Sequence, residues 1–515
     1  MIELQQRQQV GQQASMWSST RQRTWLHELA TAAGLFVLFC LLLASIQYAT
    51  PDLPDNDGFY HIKMGQLIRE QGLHPEFIWL PMSILNQQDF YDHHLLYHVY
   101  LALFVGDGSS SAMLAGAKLA SVIMPALAFT MIWGLLRSQK VPWAALWAIG
   151  LCAISYAFLY RMSIPRAQSA SLLVLALAMY LTLSRRYVLL IPTGFVYVWL
   201  YNAFPLLIAV VGAEAVATFL LERKIAWRGL TFAAIGIVLG LVVNPYFPVN
   251  VDFIIHHLLP KVGQPETSVG NEWYPYETWT MVMNSGAALA LMLLGFFAIG
   301  WRGQRFDRTQ LTAFVLAVFF GLLLLKARRF VEYFPPFALI FAAFCAGPLL
   351  RDLLRDSSTP RWLARLLPAT SLLLLVVMTG LTLREAQDDL RGSKPAATFA
   401  EASAYLRQHA PAGSMIFQTD WDDFPRLFFY NSQNTYTIGL DPTYMQLHDA
   451  ELYDLWVDIS RGKVKNPSST IRETFHAQYV ISDLKHENFM ERAEKDPNMQ
   501  EVHRDAYAVV YQILP

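Results

Sequence analysis

Apolar residues along this chain gather in long runs separated by short polar stretches. The runs lie near 29–48, 112–136, 143–160, 169–183, 187–203, 205–221, 230–244, 281–300, 310–325, 331–350 and 366–383. At about 1.5 Å per helical residue the longer runs can cross a hydrocarbon core about 30 Å thick. The pattern predicts a polytopic α-helical membrane protein of about 11 spans. Basic residues fall in alternate loops: Arg21/Arg23, Arg137/Lys140, Arg185/Arg186, Arg223/Lys224/Arg228, Arg302/Arg305/Arg308 and Arg351/Arg355/Arg361/Arg365. By the positive-inside tendency these loops and the N-terminal tail, residues 1–27, are cytoplasmic. An odd span count then puts the tail beyond residue 384 outside, with the loops at 50–111, 161–168 and 245–280.

Between the runs the pattern changes twice. In the first outer loop, His61–Arg69 and His94–Phe104 have helical apolar spacing but are too short to cross, which suits helices lying in the interface. The second large outer loop carries Trp273, Tyr274, Tyr276 and Trp279, read as interfacial anchors, with the acids Glu266, Glu272 and Glu277. After the last run, residues 385–515 have the composition of a small α/β domain. A helix is expected over Ala396–His409 and strands over Ser414–Gln418, Ala477–Asp483 and Ala506–Leu514. The Gln-rich start and the lack of a small-residue cleavage site mark the first run as a retained helix.

Composition agrees with this picture. With 54% hydrophobic and 15% charged residues the apolar content exceeds what one soluble core absorbs. The net charge of −1 and the absence of an aromatic-interleaved basic patch argue against a nucleic-acid partner. Cys40, Cys152 and Cys345 all fall inside apolar runs, so they supply no surface disulfide framework.

Candidate chemistry lies at the ends of the runs. Asp55-Asn56-Asp57-Gly58 follows the first span closely, so its carboxylates sit at the membrane surface, where they can hold a divalent cation or act as a base; the alternative is an Asp capping the next helix. Asp92-His93-His94, with His98 one turn after His94, has spacing compatible with shared metal ligation or with a hydrogen-bonded cluster. Lys326-Ala327-Arg328-Arg329 sits on the outer side, against the positive-inside tendency. Guanidinium groups there suit a phosphate, and pairing with Glu332 is the alternative. Arg161 and Arg166, in another short outer loop, pose the same choice between phosphate and salt bridge.

In their order along the chain these segments resemble the catalytic subunit of oligosaccharyltransferases, within the C-type superfamily of membrane glycosyltransferases. Asp57, in Asp57-Gly58-Phe59-Tyr60-His61, resembles the first-loop acid that helps hold a catalytic metal. Glu272, in Ser268-Val269-Gly270-Asn271-Glu272-Trp273-Tyr274-Pro275, resembles a loop Glu that contacts the acceptor and metal region. Arg329 resembles the basic position that holds the carrier's phosphate, and Trp421-Asp422-Asp423 is similar to an altered acceptor motif. Two positions depart: Arg166-Ala167-Gln168 stands where a second acidic motif belongs, and Asp420 stands where the acceptor motif begins with Trp.

The resemblance implies transfer of a sugar or glycan from a polyisoprenyl phosphate or diphosphate carrier to a protein or glycan acceptor on the outer face of a bacterial plasma membrane. It assigns Asp57 and Glu272 to catalysis, Arg329 to the donor phosphate and Trp421, Asp422 and Asp423 to the acceptor; Arg328, Arg161 and Arg166, as outer basic residues, are further candidates for the donor phosphate. It also implies Mg²⁺ or Mn²⁺ held by Asp57 and Asp55, with Asp92, His93 or His94 in place of the missing acids, or else a metal-free enzyme. A polysaccharide polymerase or ligase and an inactive scaffold are the alternatives. A transporter fits less well, because the charges concentrate at span ends rather than mid-span.

Overall fold

Every apolar run folds as a helix or a broken helix, which satisfies the backbone polar groups internally, as a lipid environment demands. The computed structural model describes residues 2–106, 108–258, 270–355 and 360–515; Glu266 and the Ser268-Val269 portion of the second-loop motif lie outside them. Among the described residues six helices are long and apolar enough to cross a membrane: Trp25–Gln47, Ser110–Ser138, Thr278–Arg302, Arg308–Lys326, Phe334–Leu353 and Leu366–Arg391. A seventh span is possible if Ala144–Cys152 and Tyr156–Ser163, which meet at an 81° bend, count as one. Gln168–Leu183, Tyr187–Leu200 and Trp227–Val242 are apolar but shorter.

The outward faces of these helices are apolar. Leu373, Leu374, Val376 and Val377 on Arg361–Arg391, and Leu293 and Phe297 on Thr278–Arg302, are exposed. Surfaces of this kind face lipid rather than water. Inside the bundle small residues let helices meet closely. A Cβ added to Gly236 would stand 2.3 Å from the Ile191 carbonyl oxygen, so Trp227–Val242 and Leu190–Leu200 touch backbone to backbone there.

The expectation that charges keep to span ends is corrected at two positions. Lys118 is buried within Ser110–Ser138, where its ammonium donates to the carbonyls of Thr50 (2.6 Å) and Gln47 (3.3 Å). Glu214 is buried within Leu206–Glu222 and pairs with Arg308 at 3.4 Å. Both charges have partners, which is how apolar surroundings tolerate them.

The remaining residues form a cap on the bundle. Helices Asp57–Gln71 and Leu95–Ala102 come from the first loop. Residues beyond 410 build a five-stranded sheet from β1 (Met415–Gln418), β2 (Thr435–Tyr436), β3 (Ala477–Asp483), β4 (Met499–Arg504) and β5 (Ala508–Ile513), in the order β2-β1-β3-β5-β4. The β2-β1-β3 pairings are parallel and the β3-β5-β4 pairings antiparallel. The expected strands match β1, β3 and β5; β2 and β4 were not anticipated.

The first loop and this sheet are bonded to each other. The Tyr436 N–H donates to the Trp79 carbonyl (2.9 Å), the Trp79 indole to the Ser432 carbonyl (2.8 Å) and the Ile84 N–H to the Tyr444 carbonyl (3.1 Å). Fully buried Arg426 lies over the Phe59 ring at 4.2 Å and donates to Asn56 Oδ1 (2.8 Å) and to the carbonyls of Pro395 (2.7 Å) and Lys394 (3.1 Å). The tail is thereby fixed against the segment that carries Asp55 and Asp57. Gly236→Val is expected to push apart the helix pair at Ile191 and cost about 1–3 kcal/mol; a lowered melting temperature in detergent checks it.

Candidate active site

Where the cap meets the bundle there is a cavity of about 520 Å³. One part of its wall is apolar, from Leu206 and Leu323 at the ends of apolar helices and Phe330 in the turn after Arg308–Lys326. The facing part is polar and charged, from Asp55, Asp57, Arg161, Arg166, Glu272 and Arg329.

Arg166 organises the acids of the first loop. Its guanidinium grips Asp55 with two nitrogens, Nη2 at 2.5 Å from Oδ1, and lies 2.7 Å from Asp57 Oδ2 and 3.5 Å from Glu272 Oε2. Asp55 holds a left-handed backbone (φ +76°), an uncommon state for a residue with a Cβ, and the paired arginine anchors it. Gly58 makes the approach possible: a Cβ there would stand 2.4 Å from Pro165 Cγ, next to Arg166. Asp57 opens its helix but does not cap it; the N-cap is Asn56, whose side chain makes no capping bond. Burial raises Asp57 to about 8, against the pull of Arg166 and with the push of Asp55, Asp422 and Glu272.

Glu272 sits at the centre of the cations. Arg161 Nη2 lies 2.9 Å away, Arg329 Nη1 3.4 Å and Arg166 3.5 Å. Although burial alone would raise it, Arg329, Arg161 and Arg166 hold its carboxyl well below the usual range. Arg161 also donates through Nε to Glu332 at 2.7 Å, and Glu332 is 1% exposed. The alternative partner expected for the Lys326–Arg329 motif, Glu332, is therefore taken by Arg161. Arg329 instead donates to the Tyr201 hydroxyl (2.9 Å) and lies 4.2 Å from the Trp273 ring centre. Trp273 is a wall of the cavity rather than an interfacial anchor.

Several expected site residues are placed differently. Arg328 is turned outward, its guanidinium donating to the carbonyls of Tyr274 (3.4 Å) and Pro275 (3.2 Å), and it is not among the residues lining the cavity. Asp92 is fully buried behind the wall: its Oδ2 bonds His98 Nδ1 at 2.7 Å, and His98 Nε2 bonds His61 Nδ1 at 2.7 Å. His93 stacks on Phe253 and His94 on Tyr201, both lining the cavity. Trp421 and Asp422 also line it, while Asp423 is buried, 3.8 Å from Lys394. Asn56 donates to Asp422 at 2.6 Å, and burial raises Asp422 to about 6. Tyr201 and His61 were missed as site residues. Tyr201-Asn202 interrupts an apolar run, which is the signal that could have found Tyr201.

The residues do not fit a divalent metal at Asp57. Both oxygens of Asp55 accept from Arg166 and Asp57 Oδ2 lies 2.7 Å from the same guanidinium, so a cation there would stand against it. Asp92 is committed to His98 and does not line the cavity. Among the described residues, the groups of three whose ligand atoms lie within 4.8 Å of one another are Glu401/His503/Asp505 and Asp420/Asp423/Asp483, neither of which includes Asp55, Asp57, Asp92, His93 or His94.

Comparison with solved structures places this architecture. The oligosaccharyltransferase of Archaeoglobus fulgidus superposes with a TM-score of 0.64 at 12% identity, covering 90% of this chain and 71% of that one. ArnT from Cupriavidus metallidurans, bound to undecaprenyl phosphate, gives 0.55 at 17% identity over 93% of this chain and 97% of that one. The chain has the C-type membrane glycosyltransferase fold. The same fold is found in the mycobacterial arabinofuranosyltransferase AftD, with a TM-score of 0.55 at 13% identity over 94% of this chain and 41% of that one. No protein-family model and no curated protein matches the sequence. Within this fold Arg161 is the tie between the bent helix pair and the turn before Phe334–Arg355. Arg161→Ala, which leaves Glu332 buried without its cation, is expected to cost about 3–5 kcal/mol, read as a lower melting temperature, with Glu332→Gln in the same chain recovering part of it.

Proposed function

We propose that the protein is a membrane glycosyltransferase that moves a sugar or glycan from a polyisoprenyl phosphate or diphosphate carrier to an acceptor on the outer face of the membrane. The observation that carries this reading is one cavity with an apolar wall at the helix ends, a carboxylate of raised pKa and three converging arginines. The similar ArnT was solved with undecaprenyl phosphate, and the Archaeoglobus oligosaccharyltransferase with a dolichol phosphate and an inhibitory peptide, which supports the same class of donor here.

In this reading the isoprenoid chain lies along Leu206, Leu323 and Phe330 while its phosphate meets Arg329, Arg161 and Arg166. Asp57 accepts the proton of the acceptor nucleophile as that atom attacks the anomeric carbon. The carbon–oxygen bond to the phosphate breaks, and the arginines take up the charge on the leaving oxygen. Arg166 holds Asp57 in place, so no divalent metal is required for this step. The N-terminus is cytoplasmic, residues 385–515 form an outer domain, and all eleven apolar runs count as spans or parts of spans in a bacterial plasma membrane.

A glycan acceptor is the second reading, in the manner of a polysaccharide polymerase or ligase. It is favoured by the commitment of Asp422 to Asn56 and of Asp423 to a buried position near Lys394, which leaves the altered motif with few groups for a peptide hydroxyl.

Purified protein given a panel of labelled polyisoprenyl-linked sugars is expected to transfer label, and Asp57→Ala and Arg329→Ala to lose on the order of 10²-fold or more. Transfer is expected to persist in a chelator such as EDTA. Retention of normal transfer in Asp57→Ala would move the base to another residue, and no transfer from any donor would turn the reading towards a scaffold. A base of pKa about 8 also sets the pH dependence. The rate should rise as pH approaches 8 and level above it. Stability runs the other way: the folded state holds a proton that the unfolded state releases, so this contribution is complete below the ordinary carboxylate range and is lost as pH rises through about 8.

A further inference from the structure

We infer that Glu272 is an internal stand-in for the carrier's phosphate: its carboxylate fills the anion site made by Arg161, Arg166 and Arg329, and the phosphate binds by displacing it. The inference rests on the carrier reading above and deepens it.

The three guanidinium groups come from different parts of the chain, the second half of the bent span, the loop after it and the turn following Arg308–Lys326, yet they meet on one carboxylate at 2.9, 3.5 and 3.4 Å. Two of the three do not need Glu272 for charge balance. Arg161 has Glu332, and Arg166 has Asp55 and Asp57. For Arg329, Glu272 is the carboxylate partner among the described ion pairs. A carboxylate held in this way presents two oxygens to converging guanidinium groups, as a phosphate does.

Glu272 and Glu332 are built differently. Glu332 is sealed in the bundle at 1% exposure. The Glu272 side chain is 25% exposed and reaches in from the short turn Asn271–Trp273, part of the cavity wall. That turn is secured on its C-terminal side, where the Arg328 backbone N–H donates to the Tyr274 carbonyl at 2.9 Å and its side chain to Pro275. Withdrawal of the carboxylate therefore leaves Arg161 and Arg166 with their own partners and leaves Arg329 for an incoming phosphate. A carboxylate and a phosphate cannot share the site without like-charge repulsion, so binding and displacement are one event.

The test is binding rather than turnover. The full chain in detergent is titrated with undecaprenyl phosphate, and with sodium phosphate to separate a headgroup site from one that needs the lipid. Binding is followed by the fluorescence of tryptophan, since Trp273 stacks on Arg329. Glu272→Gln is expected to bind the lipid phosphate at least about tenfold more tightly than the native chain, Glu272→Asp to bind about as the native chain does, and Arg329→Ala to weaken binding in either background. Equal or weaker binding by Glu272→Gln, with Arg329→Ala still weakening it, overturns the displacement and leaves the carrier reading standing. No binding by any form overturns both. In the native chain, which needs no variant to fold, undecaprenyl phosphate should increase hydrogen exchange across residues 270–274; unchanged or slower exchange there contradicts the inference.

Discussion

A lattice of arginine and carboxylate groups at the boundary between helices and cap holds the site in shape. Charges at such a depth are costly unless each has a partner, and the partners come from distant segments: Arg166 with Asp55 and Asp57, Arg161 with Glu332 and Glu272, Arg329 with Glu272 and Tyr201. The first loop, the bent helix pair, the second loop and the turn before Phe334–Arg355 are thereby fixed to one another at a single place. The tail adds its own tie through Arg426 and Asn56. Hydrophobic packing builds the bundle, but the charge pairs decide which loop ends face one another.

The chemistry follows from how unevenly these charges are matched. Glu272 is surrounded by cations and stays ionised, whereas Asp57 is one of several carboxylates that share Arg166 and is pushed towards neutrality. A fixed anion and a carboxyl raised to about 8 suit the two different tasks proposed for them, the first occupying a phosphate site and the second moving a proton. Arg166 stands where an acid was expected from the resemblance, and it places a fixed cation against Asp55 and Asp57.

Much of the fold could be read from the chain because lipid-facing helices must be apolar along their length; every run from 29–48 to 366–383 folded as a helix or a broken helix. The short, half-buried β2 and the largely exposed β4, with its polar Gln500, Glu501, His503 and Arg504, carry too weak an apolar pattern to have been seen. The candidate site was legible as a set of residue types at span ends, but not as a set of partners. Asp55 and Arg166 are 111 residues apart, and no local pattern links them. Of the two readings of the histidine cluster, the hydrogen-bonded one is what forms: His98 turns inward to Asp92, while His94, at the start of the helix, stacks on Tyr201. Local spacing could not separate Arg328 from Arg329, adjacent residues that a short 3₁₀ turn sends in different directions.

A structure of the full chain with undecaprenyl phosphate bound tests the central claim most directly. The account places the phosphate within hydrogen-bonding distance of Arg329, with Glu272 withdrawn and the lipid chain along Leu206, Leu323 and Phe330. A phosphate bound elsewhere, or one bound beside a divalent ion on Asp57 with Arg166 swung away, would contradict it.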